Sequence, residues 1–302
     1  MTYPAAVEIV EVAARDGLQN EAVALSTADK VALIRRADAA GAARIEIASF
    51  VHPLRVPQMA DAEAVCDAVG RLRAVTVGLA LNRRGVDRAL RTGVEEIGAV
   101  AAASDGFAQS NQGRDAEGTV ADALEILTLA NEAGRRAQAT ISVAFGCPFD
   151  GEVPATRVAA IARRLADGGA REIALADTIG VATPADVRQV ITAVAAAAPG
   201  VPLRLHAHDT RNTAVANAWA ALELGVAILD CSIGGLGGCP FAPGASGNVA
   251  TEDLLYTLDR GGIATGMSLP AVTEAAQWLG DRLGRPLPGR VSRVAAFPPT
   301  RG

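Results

Sequence analysis

The chain has 302 residues, of which 50% are hydrophobic and 20% charged, and its 28 Lys and Arg against 33 Asp and Glu leave a net charge of −5. This balance fits a soluble globular protein and argues against a basic groove for nucleic acid or an anionic membrane surface. The longest apolar run, ITAVAAAAPGVPL (191–203), is broken by Pro199 and Pro202 and falls short of the roughly 20 apolar residues that a bilayer span needs.

Short β-branched runs alternate with longer Ala-rich stretches of helical periodicity. The predicted strands are VEIVEVA (7–13), ARIEIAS (43–49), AVTVGLA (74–80), EEIGAVA (95–101), AQATISVAF (137–145), REIALA (171–176), VPLRLHAH (201–208) and VAILDCSI (226–233). Helices are predicted over 26–41 and 119–134, and Thr183-Pro184 reads as an N-cap followed by proline at the first helical position. No Ser/Gly linker or composition shift divides the chain. The pattern predicts one (β/α)₈ TIM barrel over about 5–262, with a helix at 268–284 inside a C-terminal segment 263–302, so that 1–302 forms a single domain. An open doubly wound sheet is the competing fold, but the GxGxxG turn that usually follows its first strand is absent. Cys66, Cys147, Cys231 and Cys239 show neither CxxC pairing nor the density of a disulfide scaffold, and MTYPAAVEIV lacks the basic start of a secretory leader, so a reducing cytoplasm is expected.

Barrel enzymes place their chemistry at the C-terminal ends of the strands. There this sequence carries Arg15 and Asp16 (AARDGLQNE), Glu46 between Ile45 and Ile47, Asp177 (ADTIG), His206 and His208 (HAH), and the loop GGLGGCPFAPGASGN with Cys239 and Asn248. The chain holds only three histidines. Two of them stand at i and i+2 of a strand and therefore point to one side. Two neutral imidazoles so placed, with a carboxylate oxygen from Asp16 and an amide oxygen from Asn248, suit octahedral Mg²⁺ or Mn²⁺ better than a thiolate-rich zinc site. A pair of core histidines and a plain Arg15–Asp16 loop ion pair are the structural alternatives. The remaining histidine, His52, reads as a loop contact near the mouth, and Cys66, Cys147 and Cys231 as packing residues.

At these segments the chain resembles the 3-hydroxy-3-methylglutaryl-CoA lyase family. The matching stretches are ARDGLQNE, SFVHPLRVPQMAD, GCPFDG, ADTIGVATP, HAHDT and GGLGGCPFAPGASGNVATEDL, which occur in family order. The resemblance implies that Asp16, His206, His208 and Asn248 hold the divalent cation. It further implies that Arg15, Asp16, Glu46, Asp177, His206 and Cys239 make up the catalytic or site-ordering set, and that the protein is a homodimer. LNRRG (81–85) matches a family segment after strand 3, which makes Asn82, Arg83 and Arg84 candidates for coenzyme A contacts. Arg211-Asn212 after HDT and Ala174 in strand 6 depart from better-known members, and these departures bear on which acyl-CoA is cleaved. The implied reaction is a retro-Claisen cleavage giving acetyl-CoA and acetoacetate. Alternatives are a condensing synthase that joins acetyl-CoA to a 2-oxo acid, and a non-catalytic acyl-CoA-binding barrel.

Overall fold

The computed structural model describes residues 3–238 and 247–298 of the chain. Eight parallel strands follow one another around a closed barrel: β1 (Glu8–Glu11), β2 (Arg44–Ser49), β3 (Val75–Ala80), β4 (Glu96–Ala102), β5 (Arg136–Ser142), β6 (Ile173–Asp177), β7 (Leu203–Ala207) and β8 (Ile228–Cys231), with β8 pairing back onto β1. The (β/α)₈ expectation is met, and each predicted strand overlaps its observed counterpart to within three residues at either end. The largest overrun is at β5. There the β-branched pattern continues past Ser142, but the chain turns at Val143 with a positive φ of 50°.

Helices cover the outside of the sheet, among them Thr27–Ala39, Ala116–Glu132, Ala155–Asp167 and Pro184–Ala197. At the start of the last of these, Asp186 accepts hydrogen bonds from the N–H and hydroxyl of Thr183, closing the reciprocal cap that Thr183-Pro184 predicts. The helix Leu269–Leu283 packs on Thr27–Ala39, where the Arg36 guanidinium lies over the Trp278 ring. Among the described residues, no helix is long and apolar enough to cross a membrane.

The barrel interior departs from the usual packing of branched aliphatic side chains. Near the N-terminal ends of the strands, Arg44 from β2 is fully enclosed by carboxylates. It pairs with Glu8 of β1, with Glu96 of β4 at 3.2 Å, and with Glu172 ahead of β6 at 2.7 Å. Arg204 of β7 pairs with the same Glu172 and with Asp230 of β8, each at 3.3 Å. Charges this deep persist only when paired, and deleting one partner strands the others in low dielectric. Arg44→Ala should therefore destabilise the fold by about 3–5 kcal/mol, read as a lower urea midpoint, while exchange of the exposed Arg163 should cost less than about 1 kcal/mol.

Candidate active site

β1 ends at Glu11, and the chain then turns through one π-helical turn, Ala13–Gly17, which lifts Arg15 and Asp16 over the C-terminal mouth of the barrel. The turn is tied down from below. The Glu11 carboxylate accepts hydrogen bonds from the Ala13 and Ile233 N–H groups, both at 2.9 Å, and from the Thr251 hydroxyl at 2.6 Å. One buried side chain thus fixes the segment after β1 to the segment after β8.

Arg15 lies between two carboxylates, 2.6 Å from Asp16 Oδ1 and 2.6 Å from Glu46 Oε2. Its Nε–H has no partner. Burial alone would raise the Asp16 pKa, but the Arg15 charge and the two nearby imidazoles outweigh it and hold Asp16 well below the usual carboxylate range. Glu46 goes the other way, because its burial outweighs the pull of Arg15.

His206 lies in β7 and His208 just beyond its end, with their Nε2 atoms 3.2 Å apart. A backbone bridge between His208 and Asn248 brings the distant loop back onto the mouth. Asp16 Oδ2 is 3.7 Å from His208 Nε2 and 4.0 Å from His206 Nε2, and it accepts a 2.7 Å hydrogen bond from Asn248 Nδ2. The Asn248 Oδ1 atom is buried and has no donor. Gly237 makes this approach possible: its φ is +104°, and a Cβ there would stand 2.5 Å from Asn248 Nδ2.

This donor set fits a divalent cation. Bonds of about 2.0–2.2 Å place two ligand atoms on one ion about 3–4 Å apart, which is the spacing found among Asp16, His206 and His208. The orphaned Asn248 oxygen supplies a fourth donor, and a mixed imidazole and oxygen set is the hard-to-borderline chemistry such ions take.

Arg15, Asp16, Glu46, His206 and His208 line one wall of a cavity of about 150 Å³ that opens at the barrel mouth. Facing them are Val77 and Leu79 of β3 and Val100 of β4, with Gln138 and Thr140 of β5 beside them. Asn20 donates a 2.8 Å hydrogen bond to the Gly238 carbonyl, which joins the RDGLQN segment to the glycine loop immediately before Cys239. Cys239 itself lies outside the described residues.

Other predicted site residues are placed differently. Asp177 does not line the cavity. It is buried at the end of β6, where its two oxygens accept from the Val181 and Ala182 N–H groups and so order the loop beside the mouth. The coenzyme A candidates after β3 are exposed at the start of a helix, and two of them also make local contacts. Asn82 caps the helix Arg83–Ala89 by accepting from Gly85 N–H, and Arg83 pairs with Glu125 at 3.0 Å and Asp87 at 3.4 Å; Arg84 is exposed. His52 is an exposed loop residue whose Nδ1 accepts from Leu54 N–H. Cys66, Cys147 and Cys231 are buried and unpaired, as packing residues should be.

Glu11, Gln138, Arg204 and Asp230 are site-building residues that the sequence reading passes over. Gln138, Arg204 and Asp230 line the cavity from their strands, whereas Glu11, between the lining Val10 and Val12, is buried on the other face of β1; the only available signal was a polar residue in an otherwise apolar run.

Fold and site together define a (β/α)₈-barrel enzyme whose mouth is built to receive a divalent cation. The HMGL-like family model matches residues 6–279, and the chain belongs to that family. It is 41% identical to the hydroxymethylglutaryl-CoA lyase YngG of Bacillus subtilis, over 97% of this chain and 99% of that protein. It is 42% identical to the (R)-citramalyl-CoA lyase of Chloroflexus aurantiacus, over 97% and 96% of the two chains. Among solved structures, an HMG-CoA lyase from Acinetobacter baumannii in complex with coenzyme A and 3-methylmalate superposes with a TM-score of 0.94 at 33% identity, covering 100% of this chain and 99% of that one.

Burial pushes the Glu11 carboxyl up to about 7, against the pull of its three hydrogen bonds. A carboxyl whose pKa is higher folded than unfolded binds more protons in the native state between those two values. Stability from this group is therefore lost as pH rises from about 4.5 to about 7. Glu11→Gln removes the dependence, so the stability of the variant relative to the parent should improve by up to about 3 kcal/mol between pH 4.5 and 7.5, as read from urea midpoints at each pH.

Proposed function

We propose that this protein cleaves 3-hydroxy-3-methylglutaryl-CoA, or a close 3-hydroxyacyl-CoA, to acetyl-CoA and a keto acid, acetoacetate in the first case. The carrying observation is the convergence of Arg15, Asp16, Glu46, His206 and His208 on one cavity, with Asn248 hydrogen-bonded to Asp16. The lyases among its relatives support the reading.

Asp16, His206, His208 and Asn248 would hold Mg²⁺ or Mn²⁺, which acidifies a bound hydroxyl and polarises a neighbouring carboxylate oxygen. Asp16, a carboxylate at the same mouth, is the group in place to take the substrate's tertiary hydroxyl proton. As that proton leaves, the C3–oxygen bond becomes a carbonyl and the C2–C3 bond breaks. Its electron pair passes into the enolate of acetyl-CoA. The unpartnered Arg15 Nε–H supplies a donor for the thioester oxygen where that negative charge collects, and Glu46 keeps the guanidinium oriented. The Cys239 thiol then protonates the enolate carbon and recovers its proton from the base. The apolar face formed by Val77, Leu79 and Val100 offers a seat for the methyl branch at C3. We place the protein in the cytoplasm, a setting suited to its unpaired buried thiols, and its family resemblance supports a homodimer.

Acetyl-CoA release from 3-hydroxy-3-methylglutaryl-CoA and from citramalyl-CoA, followed by mass spectrometry with Mg²⁺ or Mn²⁺, tests the reading. Cleavage of at least one substrate, abolished by chelator and restored by the ion, is expected. No cleavage of either, or cleavage indifferent to chelator, contradicts it. Cys239→Ser should lower turnover by about 10²–10⁴ with Mn²⁺ affinity near that of the parent, whereas His208→Ala should lose both. A Cys239→Ser variant within a few-fold of the parent turnover would exclude the thiol as proton donor.

A further inference from the structure

We propose that Asp230 is a positioning residue for His206: it holds the ring in the tautomer whose Nε2 lone pair faces the cation site, and Arg204 anchors it in that task. The inference rests on the cation-binding reading above and concerns residues to which that reading gives no part.

His206 and Asp230 are register partners on adjacent strands, so the β7–β8 pairing sets their side chains against each other. His206 Nδ1 is 3.0 Å from Asp230 Oδ2. An ionised carboxylate only accepts hydrogen bonds, so the ring proton must sit on Nδ1, which leaves Nε2 as a bare lone pair. That Nε2 is the atom 3.2 Å from His208 Nε2 and 4.0 Å from Asp16 Oδ2.

The carboxylate itself sits beside a buried positive charge. Arg204 lies two residues before His206 on β7 and faces the same interior, with its Nε 3.3 Å from Asp230 Oδ1. One Asp230 oxygen therefore stands at ion-pair distance from a guanidinium, without a formed hydrogen bond, and the other against an imidazole. Arg204 is braced in turn by Glu172 at 3.3 Å. His208 has no equivalent support, because its buried Nδ1 lacks a partner. The site thus has one imidazole fixed by the barrel's charged interior and one free to adjust.

The chain's three histidines make the tautomer directly observable. In long-range ¹H–¹⁵N spectra of the metal-free protein at alkaline pH, His206 should appear as the Nδ1–H tautomer, and Asp230→Asn should populate the Nε2–H form. Mn²⁺ titrations followed by electron paramagnetic resonance should show Asp230→Asn binding about 10–100-fold more weakly than the parent. Asp230→Glu, which keeps the negative charge, should recover part of that loss. An Nε2–H tautomer of His206 in the parent overturns the proposal without any variant having to fold. An unchanged Mn²⁺ affinity in a folded Asp230→Asn protein overturns it as well. A parent that binds no Mn²⁺ refutes the cation reading instead, and the two failures are therefore distinguishable.

Discussion

The site depends on one shared carboxylate. Asp16 offers one oxygen to Arg15 and the other to the cluster of His206, His208 and Asn248, so a single side chain couples the anion-stabilising half of the mouth to its cation-binding half. A carboxylate can serve both halves only while it remains ionised, and burial opposes that. Arg15 supplies the compensating charge, and Glu46 balances Arg15. The turn that carries Asp16 is fixed by Glu11, which reaches across to the far end of the barrel closure. Chemistry at the mouth is thus tied to the segments that follow β1 and β8 through buried hydrogen bonds.

Beneath the mouth, the charged interior extends this arrangement. Glu172 touches both Arg44 and Arg204, and Arg204 touches Asp230, which meets His206. An aliphatic interior would pack at lower electrostatic cost, since desolvating so many ions offsets much of their mutual attraction. What the ions add is direction. Arg44 has its planar donors set by hydrogen bonds to Glu8, Glu96 and Glu172, and Arg204 stands at ion-pair distance from Glu172 and Asp230, so charge pairing orders the layer under the site.

Much of this was legible in the residues. Alternation within ARIEIAS turned Glu46 away from its isoleucine neighbours, and the i, i+2 spacing of HAH placed both rings on one side. Barrel topology then accounted for why Arg15, His206 and Asn248, distant along the chain, meet at one rim. The interior charges were not legible in the same way. Glu11 in VEIVEVA and Asp230 in VAILDCSI look like ordinary polar positions, and only the pairing of β8 with β1 on one side and β7 on the other reveals what they bind. Asn82 and Arg83 show roles that their segment alone did not reveal, a helix cap and ion pairs with Asp87 and Glu125. Asp177 sat at the expected strand end, yet two backbone N–H groups within five residues captured its carboxylate.

A crystal grown or soaked with Mn²⁺ and measured at the manganese absorption edge tests the central claim most directly. The account predicts one anomalous peak within about 2.0–2.4 Å of Asp16, both imidazole Nε2 atoms and the Asn248 amide oxygen. A peak elsewhere on the protein, or none at the mouth with the two rings turned apart, would contradict it.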